Sequence, residues 1–380
     1  MMIYYFGYFD FQDSKVQRKY IVSATNKMEY IARAVQSIGY PIEFVSLSLS
    51  NKRGIGFHKM QVRESNGLKA RFFPTCDMPL YWKWLKDLWR NVCVLLWGLR
   101  HLNSDDVVIS YHTTSKTSSI LVWLRKVKKF RIILEVEEIY SDVAGIPKHA
   151  LRREYNTFEN CDAYIFSTEL LEEKLNTSHK PYVVIYGTYN VEKIINKPGV
   201  GDIHVVYAGT FDKRKGGATA AAAAAAYLPQ NYVMHICGFG KPNEVEEMTR
   251  VIRELQSKGY KIKYEGLLKG SDYISLLQSC SIGLSTQDPS AKFNNTSFPS
   301  KILSYMSNGL SVVSIRIDAV LRSKIGNSIY YYDVQTPQNI ADSILSVDVQ
   351  QAINSRNLIT SLDEYFKKEL ATLIEEVNKR

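Results

Sequence analysis

The stretch IHVVYAGTFDKRKGGATAAAAAAAYLPQNYVMHICGFG, residues 203–240, decides the architecture. Ile203–Ala208 is a β-branched and aromatic run that Gly209 closes. A basic turn follows, and then an alanine-rich segment up to Tyr227, built from the strongest helix former. A second apolar run, Tyr232–Cys237, completes a strand–helix–strand unit whose two strands must lie parallel. The low-complexity run Ala220–Ala226 reads as a small-residue packing face of that helix.

The alternation continues in both directions. Downstream come Lys261–Glu265, Ile282–Ser285, Ser311–Ile315 and Ser328–Tyr332, separated by helix-like segments such as Glu244–Lys258 and Ser300–Ser307. Upstream, Ile3–Phe6, Ile42–Leu49, Val107–Ser110, Ile132–Val136, Ala163–Ser167 and Tyr182–Tyr186 repeat the habit. Nearly continuous apolar strands alternating with helices specify an α/β chain with parallel sheets covered on both faces. At 380 residues the chain exceeds what one hydrophobic core usually organises. The polar stretch NKPGVGD, Asn196–Asp202, separates two complete strand–helix series. The expected layout is therefore one Rossmann-like domain over 1–195 and a second over 196–350. A C-terminal helix over 351–380 is expected to pack back towards the first. Open sheets of this class bind ligands beyond the carboxyl ends of their strands, so two facing domains would place a site in the cleft between them, with a hinge near 190–202.

Composition narrows the function. With 45% hydrophobic and 23% charged residues, the chain is an ordinary globular protein and not a disordered, collagenous or polytopic one. Its five cysteines are scattered, without CxxC or zinc-ligand spacing, so the reading is reduced, cytoplasmic and metal-free. The opening MIYYFGYF lacks the basic flank and cleavage site of a secretory signal. The net charge of +10 is concentrated: residues 51–131 hold 16 Lys and Arg against 5 Asp and Glu. That excess favours an anionic partner. Nucleic acid is set aside, because no RRM-like or helix-turn-helix signature accompanies the charge. Residues 81–102, YWKWLKDLWRNVCVLLWGLRHL, interleave Trp82, Trp84, Trp89 and Trp97 with cations and are too interrupted to span a bilayer. They read either as an interfacial amphipathic helix on an anionic inner leaflet or as a core-facing helix with solvated lysines.

Two segments carry candidate chemistry. In VVYAGTFDKRKGG, Val205–Gly217, Gly209 permits close backbone approach and Lys215 stands beside a glycine turn before a helix, an arrangement suited to phosphate. It is not a Walker loop. In FNNTSFPSKILSYMSNGLSVVSI, Phe293–Ile315, Ser297 is placed to cap a helix, Pro299 to enter its first turn and Gly309 to end it. Ile302, Tyr305, Met306 and Gly309 have the spacing of a buried face, and Ser300, Ser304 and Ser307 form a polar stripe. CGFGKPN lacks the last glycine of GxGxxG, which disfavours a dinucleotide dehydrogenase.

These segments resemble the retaining glycosyltransferases of the GT-B fold, in the large family four. AGTFDKRKGG resembles that family's GRLxxxKG turn, with Lys215 at the phosphate-binding lysine and Thr210 where an arginine normally stands. HICGFG resembles the VGxG strand end at Gly238, and KYEGLLKG the turn at Leu267 that receives the nucleobase. SFPSKILSYMSNGLSVVS is similar to the helix carrying two glutamates eight positions apart, which here are Thr296 and Ser304. The helix entrance spans Ser297, Phe298, Ser300 and Lys301. In the first half, Gly7 resembles the family's glycine loop, and Glu137 with Glu138 matches its polar pair lining the cleft, preceded by His112 and Thr113. A lone histidine at a strand end reads as easily as a structural hydrogen-bonder, and the glutamates as interface ion pairs.

The resemblance implies a metal-independent transfer, with no DxD motif. The helix N-terminus at Phe298–Lys301 together with Lys215 would neutralise the departing diphosphate, and Glu137 and Glu138 would contact the acceptor. The implied function is transfer of a sugar from a nucleotide-diphosphate sugar to a saccharide or lipid-linked acceptor. The setting would be bacterial surface polysaccharide assembly, by a cytoplasmic protein peripheral at the inner face of the membrane. The alternative is a catalytically inactive sugar-nucleotide-binding subunit, because Thr210, Thr296 and Ser304 replace charged residues.

Overall fold

The structure is a computed structural model that describes residues 1–11, 16–78, 82–142, 145–212, 217–288, 296–349 and 354–379. Met1–Ser167, Leu171–Thr188 and Tyr365–Arg380 form one unit, and Thr168–Leu170 with Tyr189–Glu364 form the other. The division falls after Thr188 instead of after residue 195. The intervening chain is held by the second unit: Tyr189 is buried, Glu192 N donates to Ser307 O at 3.2 Å, and the amides of Ile195 and Asn196 both donate to Gln278 Oε1 at 2.8 and 2.9 Å.

The first unit contains β1 (Ile3–Gly7), α1 (Val22–Ser37), β2 (Ile42–Ser46), β3 (Gly56–His58), β4 (Gln61–Ser65), β5 (Leu68–Phe72), β6 (Thr75–Asp77), α2 (Lys83–His101), β7 (Val107–Tyr111), α3 (Lys116–Lys128), β8 (Arg131–Val136), α4 (Lys148–Asn160), β9 (Ala163–Phe166), α5 (Glu169–Leu175, its first two residues grouped with the second unit) and β10 (Tyr182–Val184). Eight strands form a sheet in the order β10-β9-β8-β7-β1-β2-β5-β4, parallel except for β4. The chain order reverses between β1 and β7, and the adjoining strand ends carry Gly7 and Tyr111. α1 buries Met28, Ile31, Ala32 and Val35, a helical stripe that covers one face. The other face is closed by Phe6, Val94, Trp97, Leu121, Leu124 and Phe158.

Strands β3 to β6 were not anticipated. The β4–β5 hairpin turns at Asn66 (φ 49°) and Gly67 (φ 76°), and these left-handed residues form the Asn-Gly turn whose twist matches antiparallel strands.

Helix α2 does not follow the core-facing reading, in which its lysines are solvated. Lys86 and Arg90 point inward: Lys86 Nζ donates to Ser50 O at 3.2 Å, and Arg90 Nη1 donates to Tyr8 Oη at 3.3 Å and pairs with Asp87 at 3.0 Å. Trp84, Leu88, Val92, Leu96 and Leu99 face solvent, as do Trp123 and Val127 on the adjoining α3. Only Trp97 of the four tryptophans joins the core, packed edge-on against Tyr4 and Phe6.

The second unit contains β11 (Ile203–Thr210), α6 (Ala218–Ala224), β12 (Tyr232–Phe239), α7 (Pro242–Ser257), β13 (Ile262–Gly266), α8 (Gly270–Gln278), β14 (Ile282–Ser285), α9 (Lys301–Ser307), β15 (Ser311–Ile315), α10 (Asp318–Leu321), β16 (Tyr330–Tyr332), α11 (Pro337–Leu345) and the start of α12 (Ser355–Lys379). From Tyr365 onward α12 belongs to the first unit, where Phe366 stacks on Tyr30 at 5.8 Å. The sheet order is β13-β12-β11-β14-β15-β16, entirely parallel. This is the doubly wound order in which the chain reverses direction between its first and fourth strands, here β11 and β14. In α6 the buried alanines 218, 221, 222 and 224 form the packing face read from the alanine run.

Around that reversal the strands part. β11 and β14 pair only at Val205–Ile282 and Val206–Gly283. Beyond them Ala208 N donates to the Tyr305 hydroxyl at 2.8 Å, and that hydroxyl donates to Leu284 O at 3.2 Å. A phenol thus replaces the missing ladder bond. It reaches there because residue 283 is glycine: a Cβ at that position would lie 2.4 Å from the Tyr305 ring. Gly283→Ala is expected to lower stability by about 1–3 kcal/mol through this overlap, read as a lower urea midpoint for unfolding of the second unit; an unchanged midpoint would contradict the packing described.

Candidate functional site

In open α/β sheets the crevice at the chain reversal, beyond the carboxyl ends of the strands, is where ligands sit. In the second unit that crevice is bounded by Gly209 and Thr210 of β11, Ser285–Gln287 at the end of β14, and the first turn of α9. The groups there are under-satisfied. Among the described residues, Ser285 Oγ, Thr286 Oγ1 and Gln287 Nε2 are buried without hydrogen-bond partners. Leaving such groups unpaired costs about 1–3 kcal/mol each, a cost that a bound polar ligand would offset. Sequence reading missed all three; the signal was the polar run STQ directly after the apolar strand.

Lys301 projects from α9 into this region. Its Nζ lies 4.4 Å from the centre of the Tyr207 ring and 3.0 Å from where a Cβ on Gly209 would stand. Burial lowers its pKa to about 8, and among the described residues no neighbouring charge opposes the shift. A cation over an aromatic face recovers roughly 0.5–2 kcal/mol, less than the several kcal/mol needed to desolvate an ammonium.

The other expected residues take varied places. Lys215 lies outside the described residues. Thr210 Oγ1 accepts from the amide of Asp212 at 3.1 Å, and Gly238 is there for packing, since a Cβ on it would meet Gly209 O at 1.9 Å. Leu267 is exposed just past β13. Ser297 is not the helix cap expected: α9 begins at Lys301, with Ser300 at its N-cap position and no side-chain cap bond. Phe298 and Thr296 are buried, and Thr296 O accepts from Thr168 Oγ1 at 2.8 Å. Ile302, Tyr305 and Met306 form the buried face as read. Of the serine stripe, Ser300 is exposed and Ser304 Oγ lies 3.4 Å from Tyr273 Oη, but Ser307 is buried.

In the first unit the corresponding strand ends carry a buried charge cluster. Gly7 packs against α1, where a Cβ would meet Met28 Cε at 2.3 Å. Glu137 is ion-paired to Lys27 at 2.5 Å, and Lys27 Nζ also donates to Ile185 O at 3.0 Å. Glu138 is partly exposed beside them. Beneath lies Glu135, fully buried, which accepts from Tyr5 Oη. Burial, reinforced by the Glu137 carboxylate, pushes its pKa up to about 8. The same burial and carboxylates raise the Tyr111 phenol. Glu135 was missed as well, although a glutamate inside RIILEV is a legible anomaly. His112 is structural in its surroundings: it is buried between Tyr140 and Phe158, with Nε2 3.0 Å from Glu154 Oε1 in an alignment poor for a hydrogen bond. Among the described residues, no group of three His, Cys, Asp or Glu is placed to hold a metal ion.

Comparison of the whole chain with solved structures finds OtsA in its apo form, with a TM-score of 0.68 at 11% identity over 99% of both chains. Anabaena HepE, solved with UDP and glucose, superposes with a TM-score of 0.64 at 12% identity over 99% of this chain and 98% of that one. The fold is GT-B. A UDP-forming α,α-trehalose-phosphate synthase from Burkholderia xenovorans, solved with glucose-6-phosphate, gives 0.63 at 10% identity over the full length of both. No family model and no curated protein sequence matches the chain. The likeness is therefore one of GT-B architecture, carried by topology without sequence identity.

The Glu135 shift has a stability consequence with a definite sign. An acid whose folded pKa stands above its unfolded value holds its proton longer when folded. Its stabilising contribution is complete below an unfolded pKa near ~4.5 and is lost as pH rises towards about 8. Wild-type stability is expected to decline across that window, and Glu135→Gln to flatten the decline; urea midpoints from pH 5 to 8 measure both, and parallel profiles would contradict the assignment.

Proposed function

We propose that this protein is a glycosyltransferase that takes a sugar from a nucleotide-diphosphate sugar and delivers it to a saccharide acceptor. The observation that carries the reading is the crevice between β11 and β14. It combines an uncompensated ammonium, a glycine that leaves the backbone approachable, and three buried polar groups awaiting partners. The solved neighbours support it, since HepE holds UDP and the E. coli trehalose-6-phosphate protein holds UDP-2-fluoro-glucose. In this reading Lys215 contacts the diphosphate, the turn at Leu267 meets the base, and Ser304 offers a hydrogen bond to the ribose. Glu137, held by Lys27, and Glu138 contact the acceptor. The reaction needs charge at the departing diphosphate more than a nucleophile of its own, so positioned cations and backbone amides suffice. Transfer proceeds with retention and without a bound metal.

The setting we propose is surface polysaccharide assembly on a lipid-linked acceptor, at the inner face of the membrane. The exposed stripe on α2 and α3 supports it. Trp84, Leu88, Val92, Leu96, Leu99, Trp123 and Val127 form an apolar plate, with exposed Lys83, Arg100, Lys116 and Lys126 on the same two helices and Lys129 just past the second. A plate of this kind inserts into the headgroup boundary while its cations meet anionic lipid. Among the described residues no helix is long and apolar enough to cross a membrane.

Incubation with UDP-, GDP- and dTDP-sugars and a panel of saccharide acceptors is expected to release the nucleoside diphosphate, and Lys215→Ala to slow release by about 10²–10³-fold. Tight binding of a sugar nucleotide without release, across every acceptor, would instead identify an inactive binding subunit. On the membrane side, Trp84→Glu with Leu96→Glu is expected to weaken sedimentation with phosphatidylglycerol-containing vesicles by at least about tenfold at unchanged melting temperature. Equal partitioning would remove the membrane role.

A further inference from the structure

The described residues at the carboxyl end of β11, Gly209, Thr210, Phe211 and Asp212, carry no cation; Lys213, Arg214 and Lys215, next in the sequence, lie outside the described residues. A positive charge reaches it from another element. Tyr305 is pinned across β11 and β14 by its hydroxyl, and Lys301, one turn earlier on α9, is thereby set one step further out along β11, over Gly209. Among the described residues its ammonium has no carboxylate partner and no hydrogen-bond acceptor; its one contact of note is the Tyr207 ring. Glycine at 209 is part of the arrangement, because a Cβ there would stand 3.0 Å from Nζ, closer than ordinary van der Waals contact.

We infer that Lys301 Nζ binds the diphosphate of the donor, bringing a positive charge from α9 to the end of β11. The inference rests on the glycosyltransferase reading and adds a second cation, beside Lys215, on its leaving group. A compact ammonium with three rotatable donors suits a tetrahedral phosphate. Its place at the chain reversal, on the side left open by Gly209, gives a diphosphate access that a bulkier residue would deny. Among the described residues, Tyr207 of β11 faces it and Tyr305 lies one turn on in α9, both phenols raised by burial and so neutral throughout the physiological range. The ammonium alone changes charge near pH 8.

Calorimetric titration of the full chain with UDP, GDP and dTDP tests this, using the tightest binder for the variants. Lys301→Met keeps the stem and removes the charge; it is expected to weaken binding by about 10–100-fold. Lys301→Arg is expected to stay within about fivefold of the wild type. As pH rises above 8, wild-type affinity should fall by up to about tenfold per unit, and that of Lys301→Arg should remain level. Equal affinity of wild type and Lys301→Met, or a flat wild-type pH profile, would overturn the assignment and leave the glycosyltransferase reading standing. A wild-type protein that binds none of the three diphosphates would remove that reading, and this inference with it. Should Lys301→Met fold poorly, the wild-type and Lys301→Arg pH profiles decide alone.

Discussion

One hydrogen-bonded phenol organises the second unit. β11 and β14 are neighbours in the sheet, yet their ladder ends at Val206 and Gly283, and the amide of Ala208 would be stranded were it not for Tyr305. Buried amides without partners are rare because each one costs a desolvated donor. Satisfying this one fixes the register of α9 against two strands at once. The missing side chain at Gly283 makes room for the ring, and Gly309, at φ 94°, ends the helix two residues after Ser307 so that β15 can follow. Everything at the crevice then has a fixed address: Lys301 over Gly209, Ser304 beside Tyr273, and the end of β14, paired to β15 but not to β11. The chemistry proposed for this unit depends on that placement.

The first unit answers a different demand. Its sheet places Glu135, Tyr111 and Tyr5 on one face, beneath α1, where an isolated charge would be untenable. The solution is mutual: Tyr5 donates to Glu135, Lys27 neutralises Glu137, and Glu135 keeps its proton well above the ordinary carboxylate range. On the opposite side of the sheet, α2 turns Lys86 and Arg90 inward to carbonyl and hydroxyl partners while Trp84, Leu88 and Leu96 face outward. Burying Lys86 and Arg90 is tolerable only because those polar partners exist. The exposed apolar stripe has no such compensation within the described residues, which is why it reads as a docking face.

Much of this was legible before any coordinates. Parallel strands carry their own signature, apolar on every residue and followed by helical periodicity, and Val205–Ala208, Ile282–Ser285 and Ser311–Ile315 announced the second sheet plainly. The buried face of α9 followed from spacing alone. The β3–β6 insertion was overlooked although Ser65-Asn66-Gly67 is a strong hairpin signal; its strands are short and half exposed, so hydrophobic alternation was faint. The orientation of α2 was not legible, because tryptophan and lysine each have one apolar and one polar end, and only tertiary partners decide which faces in. Nor does a sequence reveal which hydroxyls are left without partners, since that depends on where ladders stop.

A crystal structure of the full chain with UDP bound addresses the central claim directly. The account predicts phosphate density in the crevice between the ends of β11 and β14, within hydrogen-bonding distance of Lys301 Nζ and close to the Gly209 backbone. Density for the diphosphate at any other strand end, or on the first unit, would contradict it.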